Sequence, residues 1–205
     1  MANGLEVKET SRIEAFSDGV FAFAITLLVL YLKDPASMGG TSLLQGLISQ
    51  WPSFLAFVTS FMTILVMWVN HHNMFKYIKK IDTKLMFLNG FLLFFVVLLP
   101  FTTSLIAGNI LSSSAKVAAA IYSGALLLTS IFWYCLWRYA SRQNSGLLQP
   151  SIKRDHVKKI TSQYNIGLTF YFIAFAAAYF SGLASFAMVL LIAVFFAVTA
   201  SIARV

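Results

Sequence analysis

The sequence predicts an all-α integral membrane protein with six transmembrane helices, and three observations carry that expectation. Its 205 residues are 59% hydrophobic and only 11% charged, whereas an ordinary soluble domain carries roughly 25% charged residues. The charges gather in short clusters between long uncharged runs, the pattern of a chain that alternates between lipid and water. The last apolar run, Tyr164 to Ala203, holds 40 residues, about twice what one crossing of a roughly 30 Å hydrocarbon core needs at 1.5 Å per residue.

The elements follow in order. The polar start, Met1 to Arg12, carries Glu6 and Glu9 and leads into a first apolar run with no cleavage signature, so that run is expected to be retained as a helix. This first span covers about 13–32; Ser11-Arg12-Ile13-Glu14 matches the capping box of a helix start, and Lys33-Asp34-Pro35 ends it. After a glycine-containing loop, Ser42 to Trp51 is too short and too polar to cross, and is expected as an interfacial or loop helix. Pro52 suits the first turn of the second span, about 53–77. The third, about 85–107, contains Pro100, which removes one backbone donor and should kink it.

A brief turn at Gly108-Asn109 leads to the fourth span, about 116–139, which ends on an aromatic and basic edge at Trp133 to Arg138. A long polar loop from Ala140 to Thr161 precedes the fifth and sixth spans, about 163–181 and 184–203, which break at Ser181-Gly182. No separate soluble domain is evident, and the whole of 1–205 reads as one unit.

Charge sets the expected direction. With the first end inside, thirteen of the fifteen Lys and Arg fall on the cytoplasmic side and only Lys33 and Lys116 outside. Both ends are then cytoplasmic, and the net charge of +8 is a topology signal. A nucleic-acid partner is excluded, because the aromatic residues lie inside the apolar runs and are not interleaved with basic ones. The single cysteine, Cys135, allows no intramolecular disulfide and no C-x-x-C pair.

Two polar clusters break the apolar pattern. Arg12, Glu14, Ser17 and Asp18 enter the first span, and a carboxylate some four residues into a membrane helix needs a partner or interfacial water. Trp68, Asn70, His71, His72 and Asn73 sit at the cytoplasmic end of the second span, at a matching depth. An imidazole there could hydrogen-bond the carboxylate, giving an Asp-His-Arg knot between the two helices. A metal site is disfavoured, since adjacent His residues point about 100° apart on a helix.

Further along the first span, Phe23, Leu27 and Leu30 recur at i, i+4, i+7 with Thr26 beside them, while Asp18, Ala22, Ile25 and Val29 form another face. Periodicity alone gives that first stripe only lipid contact or helix packing. There is no carbonyl filter loop, no Arg ladder, no phosphate-binding loop and no catalytic triad, so an enzyme is not expected. A rival reading is a proton- or ion-coupled secondary transporter using Asp18 and a His of the second helix; against it, the polar groups crowd one end of the membrane and no inverted repeat is evident.

The first span also carries a resemblance. Arg12-Ile13-Glu14-Ala15-Phe16-Ser17-Asp18-Gly19, followed by Val20 to Leu30, resembles the R-x-x-x-F-S-D signature of the transmembrane protein 175 potassium-channel family in its single-repeat prokaryotic form. Trp68-Val69-Asn70-His71-His72 in the second span fits the same pattern. The resemblance implies a homotetramer in the cell membrane, with the first helix of each subunit lining a central pore. It also implies potassium-selective leak conduction without a cofactor, so that the partners are other copies of the chain, the lipid bilayer and potassium ions. Phe23, Thr26, Leu27 and Leu30 then fall at constriction positions, Phe23 departing from the more usual Ile or Leu. Arg12, Phe16, Ser17, Asp18, Trp68 and His71 or His72 fall on the polar network that ties helix one to its neighbours.

Overall fold

The computed structural model describes residues 2–34, 42–143 and 145–202. Among these, the chain forms seven α-helices: α1 (Ala2–Leu27, prolonged by a 3-10 turn, Leu28–Tyr31), α2 (Leu43–Ser49), α3 (Trp51–Phe75), α4 (Thr83–Asn109), α5 (Ala115–Ala140), α6 (Arg154–Phe180) and α7 (Gly182–Ile202). Five stretches are long and apolar enough to cross a membrane: Thr10–Tyr31, α3, α4, α5 and the Gly182–Thr199 part of α7. α6 is equally long, but Arg154, Asp155, Lys158 and Lys159 in its first two turns dilute its apolar character.

The helix ends correct several expectations. Ser11 and Glu14 do not cap the first helix, because α1 begins at Ala2 and runs through both. The capping box that does form belongs to α2, where the Ser42 hydroxyl accepts from the Gln45 amide at 3.3 Å and the Gln45 side chain accepts from the Ser42 amide at 3.4 Å. Pro52 sits in the first turn of α3, where its missing N–H costs nothing. α4 is capped by Asp82, whose carboxylate accepts from the Leu85 amide at 2.8 Å, and it continues past Pro100 without a break.

Gly108 and Asn109 lie inside α4, not in a turn; the Asn109 side chain donates to the Leu105 carbonyl at 2.9 Å and satisfies part of the last turn. The loop expected over 140–161 is shorter, because α6 already starts at Arg154, with Asp155 in its first turn favouring the helix dipole. What remains of it is strapped down: Leu147 accepts from the Lys79 and Lys80 amides, and the Gln149 amide donates to Tyr77 at 2.9 Å. Gly146 supplies the left-handed turn (φ +65°) that lets this strap reverse. The glycine-containing loop after the first span and the last residue of the sixth, Ala203, lie outside the described residues.

Helices alternate in direction. α1 packs on α3 and α4, α4 on α5, and α5 on both α6 and α7, while α7 also returns against α3. One end of the bundle, bearing Lys76, Lys84, Arg138 and Arg142, is joined by the Tyr139 hydroxyl to Asp82 and by the Trp137 indole N–H to Thr161 at 2.9 Å. At the far end, Gly182 lies so close to the Ala115 carbonyl that a Cβ there would collide with backbone. Fully buried Leu92, Val96, Ile106, Leu126, Leu136 and Trp137 fill the space between α4 and α5 and their neighbours.

Candidate functional site

α1 has two unlike faces. Ser17, Phe21, Ala24 and Leu28, spaced i, i+4, i+7, i+11, are at most 1% exposed and form the side against α3 and α4. On the opposite side Phe16, Gly19, Phe23, Thr26 and Leu30 are uncovered in the single chain, Phe23 to 63% and Leu30 to 72%. Leu27 is half-buried between the two. Of the five apolar stretches α1 is the least covered, 22% buried against 33–44% for the others.

The buried side is anchored by a polar chain. The Asn89 side-chain amide of α4 donates to the Ser17 hydroxyl at 3.0 Å, and its carbonyl meets Nε2 of His71 on α3 at 2.9 Å. Because that carbonyl oxygen can only accept, His71 carries its proton on Nε2 and donates. The imidazole is held by rings: Phe75 stacks on it at 4.4 Å between centroids, with Phe21 and Trp133 edge-on at 5.4 and 6.2 Å. All three polar groups are buried, and each such hydrogen bond contributes on the order of 1 kcal/mol, while an orphaned partner costs about 1–3 kcal/mol.

Asp18 is half-buried, and its carboxylate accepts from the Trp68 indole N–H at 2.8 Å. The expected Asp-His-Arg knot is thus replaced by two separate links, Asp18 to Trp68 and Ser17 to His71 through Asn89. His72 is exposed and points away from His71, as adjacency on a helix dictates. Arg12 is also exposed, and Phe16, 66% exposed, lies on the uncovered face and not in the polar chain. Sequence reasoning missed Asn89, although an amide in the midst of an apolar run of a helix is itself a signal. A second buried cluster went unseen for the same reason: the Ser60 hydroxyl lies 2.8 Å from that of Tyr122 and accepts from Thr103 at 2.7 Å, joining α3, α4 and α5.

On the uncovered face, the Thr26 hydroxyl donates to the Phe23 carbonyl at 2.8 Å, so its hydrogen is held along the helix and its lone pairs are left for another group. Immediately beyond, the helix tightens into the 3-10 turn Leu28–Tyr31, which carries Leu30 on the uncovered side, with Leu27 at its N-cap. Among the described residues no group of three or more His, Cys, Asp or Glu is gathered as a metal site would need. The arrangement offers a rigidly anchored helix with an apolar outer stripe and one hydroxyl.

Residues 12–100, which hold the later part of α1, all of α2 and α3 and the first part of α4, match the family model described as the endosomal/lysosomal potassium channel TMEM175. A potassium channel of Chamaesiphon minutus is 43% identical over 199 residues, spanning 96% of this chain and 98% of that one. The chain belongs to the TMEM175 channel family. A second relative, a potassium channel of Streptomyces collinus, is 38% identical over 176 residues, spanning 85% of each chain. The crystal structure of a lysosomal potassium-selective channel TMEM175 homolog from Chamaesiphon minutus superposes with a TM-score of 0.84 at 42% identity, over 94% of this chain and 98% of that one. The TMEM175 family consists of membrane ion channels, not enzymes, and the apolar helices of this chain fit that setting.

Proposed function

We infer that this chain is the subunit of a potassium-selective leak channel in the cell membrane, in which four copies surround a central pore lined by α1. The observation that carries the reading is the division of α1: its buried face is fixed to α3 and α4 through Ser17, Asn89 and His71, while Phe23, Thr26 and Leu30 stay uncovered. A helix so placed has its outer stripe free to meet copies of itself around an axis. The relatives named as potassium channels support potassium as the permeant ion.

Six crossings fit this arrangement. α6 accompanies α5 from end to end, with Trp137 bonded to Thr161 near one end and Gly182 against Ala115 at the other, and its 27 residues reach about 40 Å. An α5 that crosses therefore takes α6 across with it. The basic residues gathered at one end support a cytoplasmic location for that end, and with six crossings both chain ends lie there.

In this reading a ring of four Leu30 side chains, with Leu27 partly turned toward them, makes a narrow apolar collar that excludes ions by dewetting when tight and passes a partly dehydrated cation when slightly wider. Thr26 adds a ring of hydroxyl oxygens just before it. Replacing Leu30 with Ala should raise cation flux or weaken discrimination between potassium and sodium in liposomes holding the purified protein, and Leu27→Ala should do so less. Flux and discrimination identical to the parent in both variants would remove these residues from the pore.

A further inference from the structure

Phe23 is the one large aromatic group on the stripe assigned to the constriction, and it stands 63% exposed with Gly19 one helical turn before it on the same face. Helical side chains lean back toward the preceding turn, so the ring's natural direction is toward Gly19. At Gly19 the space that a Cβ would fill is open, with no atom, those of the Phe23 ring included, within 4 Å, so nothing on the exposed face bars the ring from turning there. Three residues on, the Thr26 hydroxyl hydrogen is committed to the Phe23 carbonyl at 2.8 Å, so that carbonyl is occupied and cannot serve a passing ion; the Thr26 oxygen and the Phe23 ring remain.

Resting on the pore reading above, we propose that the Phe23 rings of the four subunits form an aromatic belt that binds the permeant cation by its π faces and favours weakly hydrated monovalent cations, with Gly19 providing the room for the rings to turn face-on. A cation–π contact forms within about 6 Å of a ring centroid and strengthens as water is removed. Sodium holds its water more tightly than potassium or caesium, so a belt that offers π faces in place of some waters selects for the larger ions. The ring is uncharged, which lets the ion leave again.

The test is a liposome flux measurement of potassium, caesium and sodium on the purified protein. Trifluorophenylalanine at position 23 keeps the size of the ring nearly unchanged and withdraws its negative face. The preference for caesium over sodium should fall about fivefold with this residue and with Phe23→Leu, and persist in Phe23→Trp, as a cation–π contribution near the middle of its range predicts. Gly19→Leu, which fills that open space, should lower the same preference. Protein that conducts potassium with an unaltered caesium-to-sodium preference after fluorination overturns the aromatic belt and leaves the channel reading intact. A parent protein that passes no potassium overturns both.

Discussion

At the scale of single residues, Asn89 is the pivot, because it alone bonds groups on both other helices of the anchor. Asn89→Ala leaves two buried partners unsatisfied and should lower thermal stability in detergent by about 2–4 kcal/mol, more than Ser17→Ala, which orphans one. A double-mutant cycle on Asn89 and His71 should give a coupling of at least ~0.5 kcal/mol. Strict additivity of the two losses would mean the bond seen between them does not stabilise the fold. Asp82 makes a pH prediction at the membrane surface. Desolvation pushes its carboxyl up, but hydrogen bonds from the Tyr139 hydroxyl and the amides of Leu85, Lys84 and Asp82 itself outweigh this and hold it below the usual range.

A carboxyl depressed in the folded state stabilises fully above its unfolded value of about 3.9 and loses that contribution as pH falls through the lower folded value. Asp82→Asn should therefore flatten the acid limb of the stability curve, and a limb of unchanged slope would refute that role. Ser17, Asp18 and His71 were legible in the sequence because a polar side chain in an apolar run stands out. Their pairings were not: the Ser17 partner lies 72 residues away, and which imidazole turns inward is decided by helix rotation against α4.

At the scale of elements, length and apolar character placed α3, α4 and α5 to within a few residues, but helix ends were misread wherever a helix continues into polar sequence without stopping. α1 and α6 both run out into polar sequence, since polarity marks where water begins and not where backbone hydrogen bonding ends. The α6–α7 hairpin was legible at Ser181-Gly182 from length alone, yet its tightness depends on α5. Gly182→Ala puts a methyl into the Ala115 carbonyl, a backbone group that cannot swing aside, and should cut the yield of folded protein sharply. Gly108→Ala meets open space and exchanges glycine for a better helix former, so it should be neutral or stabilise by up to ~1 kcal/mol. Equal behaviour of the two variants in a detergent melting assay would refute the close approach.

At the scale of the whole molecule, the chain divides into a scaffold of α3 to α7 and one helix, α1, lying along its edge with an uncovered stripe. That asymmetry was only half visible in the sequence: the signature of α1 could be read, but periodicity did not separate its stripe from ordinary lipid contact. Packing adds what periodicity could not: the face bearing Ser17, Phe21, Ala24 and Leu28 is consumed by α3 and α4, and the opposite face with Phe23, Thr26 and Leu30 is left uncovered. The most direct test introduces Leu30→Cys in a Cys135→Ala background, which removes the exposed native thiol. Potassium flux into liposomes is then followed before and after a bulky, positively charged thiol reagent is added. A pore lined by α1 predicts that modification abolishes most of the flux while the background protein is unaffected; complete modification with undiminished flux would contradict it.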